Sequence, residues 1–373
     1  MSAERLNSLT SLRFFAAAAI ATFHAGFFGQ TPARPDGWFL ANHAVSFFFV
    51  LSGFILQHSY RDSLNEVGAA RFVALRATRL YPVHLFIIVA LLLIVPFNEI
   101  EVRGTLTEWR VLATAFLVQA WSLNRDVNFA VNPPAWSISV ELFFYSCFPL
   151  ISRAAVRRPL LTVLAPLAAV TCFVLLVPPV GTPRQWLSVY MMNPVVRIPE
   201  FILGVGLYEL RARWMTAKGS VNRWSLAEVT SLLFVAALNA ACWPSYNWLG
   251  AHIGTPFRDW VMFDVGTTPA FCVVIVVFSL RRGIVNRLLD IKPLVFLGEI
   301  SFAIYMLHVP ILQLGRMWGW TVEESLVATI IAAAIAHLFI ERPSINLAKR
   351  MLRRNRTSRY AVVTCGDENT PST

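Results

Sequence analysis

Residues 80–97, LYPVHLFIIVALLLIVPF, form an almost wholly apolar run that is long enough to cross a lipid bilayer. A transmembrane helix needs about 20 predominantly apolar residues. Nine further stretches have a similar length and character: 9–28, 38–57, 134–152, 159–178, 189–210, 226–243, 262–280, 293–314 and 323–341. The sequence therefore predicts an all-α fold, a polytopic transmembrane bundle of ten helices.

The composition agrees with a chain whose surface faces lipid. Of 373 residues, 56% are hydrophobic and only 14% are charged, and the mean hydropathy is +0.58. A soluble domain carries about 25% charged residues. The five cysteines are odd in number and lack the spacing of metal ligands, so neither a disulfide framework nor a zinc site is expected, and no metal cofactor is predicted.

The net charge of +11 raises the question of a nucleic-acid partner, but the basic residues lie in short loops between the apolar runs. With ten spans, 24 Lys and Arg fall on one side and 7 on the other, which the positive-inside rule explains. Both termini are then cytoplasmic, and no nucleic-acid partner is expected. The segment 109–121 is too short to span and is predicted to be a re-entrant or interfacial helix.

The chain divides into a membrane domain, residues 1–345, and a tail, residues 346–373. The tail is first basic and then polar, with Gly, Asn, Pro, Ser and Thr, and is expected to be disordered. No internal repeat of the kind that builds many transporters is evident.

Charged and titratable groups inside spans are costly and mark functional sites by default. Arg13 and His24 lie 11 positions apart in the first span, which is about 16 Å along a helix and within about 20° of three full turns. Both side chains therefore share one helix face, with Arg13 towards the cytoplasm and His24 towards the outer leaflet. A snorkelling arginine beside an incidental buried histidine explains the spacing equally well.

Arg76 and Arg79 share a helix face at the cytoplasmic boundary, where paired guanidinium groups suit phosphate oxygens. Ordinary positive-inside charge is the simpler explanation. Glu141 lies about two turns inside the span that opens at Pro133-Pro134, where it needs a histidine or arginine partner on a facing helix; an ion pair that only locks helices is the alternative. Arg197 and Glu200 can pair with each other, and a structural hydrogen bond is the first expectation for His308.

Together these pieces resemble the acyltransferase 3 family of membrane-bound O-acyltransferases over nearly the whole chain. The matching stretches, in order, are Leu12-Arg13 with His24, Phe47 to Phe54 (FFFVLSGF), Arg76 to Pro82 (RATRLYP), Trp136-Ser137 with Glu141 and Tyr145, Arg197 to Gly204, Gly298 to His308 (GEISFAIYMLH) and Glu341-Arg342-Pro343. Each stretch is modest alone, and their order and spacing make the combination specific.

The resemblance implies transfer of an acyl group, usually acetyl, from cytoplasmic acyl-CoA to a hydroxyl of a carbohydrate or glycosylated acceptor, by a multi-pass protein of the bacterial cytoplasmic membrane. His24 would be the general base and Glu141 would orient it. The donor would be bound by Arg13, Arg76 and Arg79, and the substrate by Trp136, Ser137, Tyr145, Arg197 and His308. An acyl-histidine intermediate remains an alternative mechanism, and a transporter or flippase of a lipid-linked sugar remains an alternative function. The acceptor, the acyl length and the oligomeric state stay open.

Overall fold

The computed structural model describes residues 5–27, 37–94, 108–176, 183–216, 218–253, 255–261 and 265–350, and the regular elements in these ranges are helices. In chain order, helices α1 to α9 comprise Asn7–Phe27, Gly37–Tyr60, Leu64–Val67, Ala69–Ile94, Glu108–Ala115, Arg125–Asn128, Ala135–Arg157, Pro159–Leu176 and Pro183–Met192. Helices α10 to α18 comprise Pro194–Leu210, Ala212–Met215, Val221–His252, Thr255–Trp260, Thr268–Ser279, Ile284–Leu289, Lys292–Glu299, Ser301–Met317 and Val322–Ala336.

The helices confirm a polytopic membrane protein. Among the described residues, five helices are long and apolar enough to cross a bilayer: α4, α7, α8, the first 22 residues of α12, and α18 with its continuation to Arg350. A sixth is obtained if α16 and α17, which meet at a 60° bend, form one broken span. Within the described residues, each of the ten predicted spans overlaps one helix or two consecutive helices, and the span predicted at 262–280 contains α14, of 12 residues.

Two predicted spans are interrupted, and the first break has a local cause. In the span predicted at 189–210, α9 ends at Met192, and Asn193 caps α10 by accepting a hydrogen bond from the backbone N–H of Val195 at 2.9 Å. Pro194 follows as the first residue of α10, where its missing N–H costs nothing. In the span predicted at 293–314, the chain bends at Ile300 between α16 and α17.

The segment predicted not to cross the bilayer is a short helix folded onto the start of α7. Helix α5 has eight residues and is about 12 Å long, less than half of a hydrocarbon core. The chain then turns through Leu117, whose φ is +56°, into a 3-10 helix, Gln119–Trp121. The side chain of Gln119 donates to the carbonyl of Ala135 at 2.9 Å, which fastens the segment to α7.

Helices α2 and α10 touch backbone to backbone, because glycine stands at the contact on both sides. A Cβ on Gly204 would overlap the carbonyl oxygen of Val50, and a Cβ on Gly53 would overlap that of Phe201. A Cβ on Gly298 would likewise overlap the carbonyl oxygen of Thr10, between α16 and α1. Small residues at such crossings allow the close packing that drives helix association in membranes.

The central helices surround α1. Helix α1 packs against α2, α16 and α17, while α4 packs against α7 and α17. Arg13, on α1, thereby lies near polar residues of α2, α4, α7 and α17. The same packing brings α17, with His308, alongside α1, with His24.

Polar contacts at one end of the bundle join segments that the charge count assigns to the same side. These contacts are Arg5 with Glu299, Arg61 with Glu209, Arg153 with Asn65, and Arg282 with the carbonyl of Met215. Two of them, Arg153 with Asn65 and Arg282 with Met215, join two loops predicted to be cytoplasmic. The other two join such a segment to the nearby end of a predicted span, so the contacts agree with the predicted topology. After α18, a π-helical turn, His337–Glu341, leads into a helix that reaches Arg350. The rest of the tail, and the prediction that it is disordered, lie outside the described residues.

The glycine contact leads to a stability prediction. Gly204→Ala should destabilise the protein by about 2 kcal/mol, because the new Cβ meets backbone that cannot move aside. Gly250→Ala, in helix α12, is the control, since its Cβ meets only the flexible Arg258 side chain, at 3.0 Å or more. That variant should keep its stability or gain up to about 1 kcal/mol of helix propensity. Apparent melting temperatures of the purified proteins in detergent measure both effects, and equal melting of the two variants would contradict the close approach.

Candidate active site

A cavity inside the bundle collects most of the predicted polar residues. It has about 740 Å³ of empty volume, including its open mouth, and lies between α1, α2, α4, α7 and α17. Its polar lining consists of Arg13, Ser52, Arg76, Arg79, Ser137, Glu141, Tyr145, Ser301 and Tyr305. Six of the ten predicted site residues are in this set. They come from three helices that are distant in sequence, so their meeting depends on the fold.

Arg76 is held in a defined orientation at the cavity wall. Its guanidinium donates to the hydroxyl of Tyr60 at 2.6 Å and lies 4.9 Å from the centre of the Tyr60 ring. The ring of Phe72 is 5.8 Å away on the same helix. The Nε of Arg76 is buried and has no hydrogen-bond partner within the described part of the chain. An arginine fixed in this way, with a donor still to satisfy, fits an anionic ligand.

Glu141 is the carboxylate that the cavity arginines share. It accepts hydrogen bonds from the hydroxyls of Tyr145, on its own helix, and of Ser52, on α2, the latter at 3.1 Å. Arg13 and Arg79, on the facing helices α1 and α4, both interact electrostatically with it. The charge of Glu141 is therefore balanced by arginines on two facing helices, without a direct ion pair among the described residues.

A second carboxylate, Glu341, supports Arg79. Its Oε1 is 3.9 Å from Nε of Arg79, and its Oε2 accepts from Nδ1 of His337 at 2.9 Å within the π-helical turn. The Glu341 side chain is 3% exposed, so its charge lies inside the protein. Glu341 belongs to the Glu341-Arg342-Pro343 motif, but no role was predicted for it. Its position could have indicated one, because a carboxylate at the end of the last apolar run is costly unless it is paired.

His24 and His308 form a hydrogen-bonded pair. Nε2 of His308 is 3.1 Å from Nδ1 of His24, and the two rings are 5.1 Å apart. Nδ1 of His24 also lies 3.0 Å from the carbonyl oxygen of Ile20, and Nδ1 of His308 lies 2.6 Å from that of Tyr305. His308 is fully buried. The sequence predicts that Glu141 orients His24. Among the described contacts, Glu141 accepts hydrogen bonds from Tyr145 and Ser52, whereas those of His24 lead to Ile20 and His308.

The cavity and the histidine pair are joined by aromatic rings. Tyr305 lines the cavity, and its ring lies 5.7 Å from that of His308 on the same helix. On the other side it lies 6.2 Å from the ring of Phe48, which Arg13 approaches at 6.0 Å. The structure therefore contains a site with arginines at one end and a histidine pair beyond a wall of aromatic rings. Among the described residues, no group of three or more potential ligands could hold a metal ion.

The sequence that carries these arginines and histidines matches a known family. A family model described as an acyltransferase domain, acyltransferase 3, matches residues 6–340. The chain belongs to the acyltransferase 3 family. It is therefore a membrane acyltransferase, an enzyme that transfers acyl groups, and the transporter alternative falls away.

Curated relatives of this acyltransferase cover most of its length. It is 28% identical over 385 residues to acyltransferase MdmB of Streptomyces mycarofaciens, covering 93% of each chain. It is 28% identical to the exopolysaccharide production protein ExoZ of Rhizobium meliloti, covering 86% of this chain and 93% of the relative. It is 24% identical to the putative peptidoglycan O-acetyltransferase YrhL of Bacillus subtilis, covering 90% of this chain and 54% of the relative. No solved structure matches the chain.

In this acyltransferase the start of α7 is tied to α17, close to the histidine pair. The side chain of Asn132 donates to the carbonyl of Met306 at 3.1 Å. The hydroxyl of Tyr305 donates to the carbonyl of Pro134 at 3.3 Å. Ser137 lines the cavity and donates to the same Pro134 carbonyl at 3.1 Å. Trp136 is 7% exposed and packs edge-on against the ring of Phe49, outside the polar lining of the cavity.

Arg197 lies apart from the cavity lining, in a buried ion pair. Its guanidinium is 3.1 Å from Glu200, and the two side chains are 1% and 3% exposed. It also donates to Ser46 at 3.1 Å and lies 5.1 Å from the centre of the Phe49 ring. These contacts join α10 to α2 beside the glycine crossing. The predicted pairing of Arg197 with Glu200 is present. It is consistent with a structural role for Arg197 at least as well as with substrate binding.

This pair can be tested through stability. Glu200→Gln should destabilise the acyltransferase by about 3 kcal/mol, because it removes the carboxylate that compensates a buried guanidinium. Asp62→Asn is the control: Asp62 pairs with Arg61 but is 86% exposed, so its loss should change stability by less than about 0.5 kcal/mol. Thermal unfolding in detergent compares the two. A stable Glu200→Gln protein with a raised KM for substrate would instead assign Arg197 to substrate binding.

Proposed function

We propose that this acyltransferase is an O-acyltransferase of the bacterial cytoplasmic membrane, which transfers acetyl from cytoplasmic acetyl-CoA to a hydroxyl of a carbohydrate or glycosylated acceptor. The observation that carries the proposal is the cavity whose arginine-lined end is connected, through Tyr305, to the His24–His308 pair. Arginines suit the binding of an anionic donor, and a histidine suits proton transfer from a hydroxyl. The two kinds of group lie at two ends of one site.

The arginine end supports an acyl-CoA donor. Arg13, Arg76 and Arg79 line one cavity, and the orphaned Nε of Arg76 offers a hydrogen bond to a phosphate oxygen. Glu141 and Glu341 balance part of the positive charge when the site is empty, so the arginines remain tolerable inside the bundle. The positive-inside rule assigns the same end of the bundle to the cytoplasm, where acyl-CoA is found.

The distance along α1 suits the length of such a donor. Arg13 and His24 are 11 residues apart on one continuous helix, about 16 Å. The phosphates of the donor would remain near Arg76 and Arg79 while its slender arm extends along α1 towards His24. The rings of Phe48 and Tyr305, which lie between, would have to rotate to let the arm pass.

His24 acts in this proposal as the general base. Its Nε2 accepts the proton of the acceptor hydroxyl while the hydroxyl oxygen attacks the thioester carbonyl carbon, so a C–O bond forms. The tetrahedral adduct then collapses, the C–S bond breaks, and the departing thiolate takes the proton from the His24 imidazolium. A neutral imidazole suits both steps, because its ordinary pKa lies near the working pH.

The acceptor is proposed from two relatives and from the position of the pair. One relative is named for exopolysaccharide production and another as a putative peptidoglycan O-acetyltransferase. Both names point to glycans of the cell surface. His24 lies in the half of α1 that the charge count places towards the outer leaflet, where such glycans are accessible. Trp136, Ser137 and Tyr145, on α7, remain the proposed substrate-binding residues at this helix.

The central prediction concerns His24. Purified enzyme incubated with radiolabelled acetyl-CoA and surface glycan from the host bacterium should transfer label to the glycan, and His24→Ala should lower the rate by about 10²-fold or more. His252→Ala is the control, because His252 is exposed on α12 and hydrogen-bonds within its own helix. Unchanged transfer by His24→Ala would overturn the base assignment. Labelled protein trapped without acceptor would establish the acyl-histidine route instead.

The donor site has its own test. Arg79→Gln should raise the KM for acetyl-CoA by about 10-fold or more, because a hydrogen bond to a charged group contributes about 1.5–3 kcal/mol. The same variant should not change the KM for acetyl-pantetheine, which lacks the nucleotide and its phosphates. Arg157→Gln, at an exposed position on the same side of the bundle, should leave both values near wild type. Equal effects of Arg79→Gln on the two donors would contradict phosphate binding.

A further inference from the structure

The hydrogen bonds of the histidine pair determine which nitrogens carry protons. A backbone carbonyl can only accept, so the 2.6 Å contact with Tyr305 places a proton on Nδ1 of His308. In neutral His308 the other nitrogen, Nε2, then has a lone pair and can only accept. The atom 3.1 Å from it, Nδ1 of His24, must therefore be the donor.

A second carbonyl independently requires the same proton. Nδ1 of His24 lies 3.0 Å from the carbonyl oxygen of Ile20, one turn earlier in α1, and that oxygen also only accepts. If His308 were instead charged and donated to His24, a lone pair on Nδ1 of His24 would face the Ile20 oxygen. Both carbonyls thus agree on one arrangement, in which Nδ1 of His24 is protonated and Nε2 has the lone pair.

We propose that His308 is a positioning residue, which holds the His24 ring and keeps it in the tautomer that presents Nε2 as the base. The consequence for catalysis rests on the proposed function, while the tautomer itself does not. The arrangement has the logic of a triad, in which a base is oriented by a third group through its other nitrogen. Here the third group is a neutral imidazole, itself oriented by the Tyr305 carbonyl.

The location of His308 makes it suited to this role. It is fully buried, and its ring lies 5.7 Å from that of Tyr305. Tyr305 lines the cavity, and its backbone carbonyl accepts the hydrogen bond from Nδ1 of His308. When His24 becomes an imidazolium during the reaction, Nε2 of His308 accepts a charge-assisted hydrogen bond, which is stronger than the neutral one. His308 thereby stabilises the charged intermediate without placing a second charge beside it.

The spectroscopic test follows the tautomer. In protein labelled with ¹⁵N-histidine, the His24 resonances are assigned by their loss in His24→Gln. Wild type should show Nδ1 protonated and Nε2 unprotonated. His308→Leu leaves Nδ1 of His24 with the Ile20 carbonyl alone, an acceptor already shared with the helix backbone, and should give exchange-averaged shifts of two tautomers. His308→Gln, whose amide oxygen can accept, should restore the wild-type pattern. His84→Leu, a buried histidine bonded to the carbonyl of Thr114, is the matched control and should leave His24 unchanged.

The kinetic test separates positioning from folding. His308→Leu should lower kcat by about 10²-fold and leave the KM for acetyl-CoA within about twofold, while His308→Gln should recover at least about tenfold of the lost kcat. The inference would be overturned if His308→Leu kept the wild-type chemical shifts of His24. It would also be overturned if His308→Gln restored the His24 tautomer but remained as slow as His308→Leu. If the wild type transfers no acyl group, the proposed function fails, and the tautomer measurement still decides the role of His308.

Discussion

The shared carboxylate of Glu141 is the interaction on which the cavity depends. Three guanidinium groups inside an apolar bundle repel one another and lose hydration, and each of these costs is large in a medium of low dielectric constant. Glu141 lies between α1 and α4, interacts with Arg13 and Arg79, and is itself held by the hydroxyls of Tyr145 and Ser52. The four helices α1, α2, α4 and α7 are thereby joined around one charge.

Close packing elsewhere allows this polar centre to exist. Gly53 and Gly204 bring α2 and α10 into backbone contact, and Gly298 does the same for α16 and α1. This contact fixes the backbone of α2, the helix that carries Ser52 and Phe48. Replacing Gly53 would therefore disturb the cavity as well as the helix crossing, since the neighbouring residue, Ser52, donates a hydrogen bond to Glu141. The close packing at the glycines and the position of Glu141 therefore depend on each other.

The sequence predicts the fold better than the site, and the reason is the range over which each signal acts. Apolar length and loop charge are local properties, and they correctly predicted a polytopic bundle and a segment at 109–121 too short to cross. The spacing of Arg13 and His24 on one helix is also local. The partner of each group is a tertiary property. From the sequence, Glu141 was an equally good partner for a histidine or for an arginine, and only the packing of α17 against α1 brings His308 to His24. Glu341 was overlooked for the same reason, because Arg79 is distant in sequence.

The two ends of the site use opposite electrostatic designs. At the arginine end, fixed charges of both signs are present, as is appropriate for binding and releasing the multiply charged donor that we propose. At the other end, two imidazoles are joined to each other and to the backbone carbonyls of Ile20 and Tyr305. A carboxylate beside His24 would stabilise the imidazolium more strongly and would also hold the proton that the departing thiolate needs. A neutral partner orients the base without raising its proton affinity as far, so the same nitrogen can take a proton from a hydroxyl and return it within one reaction cycle.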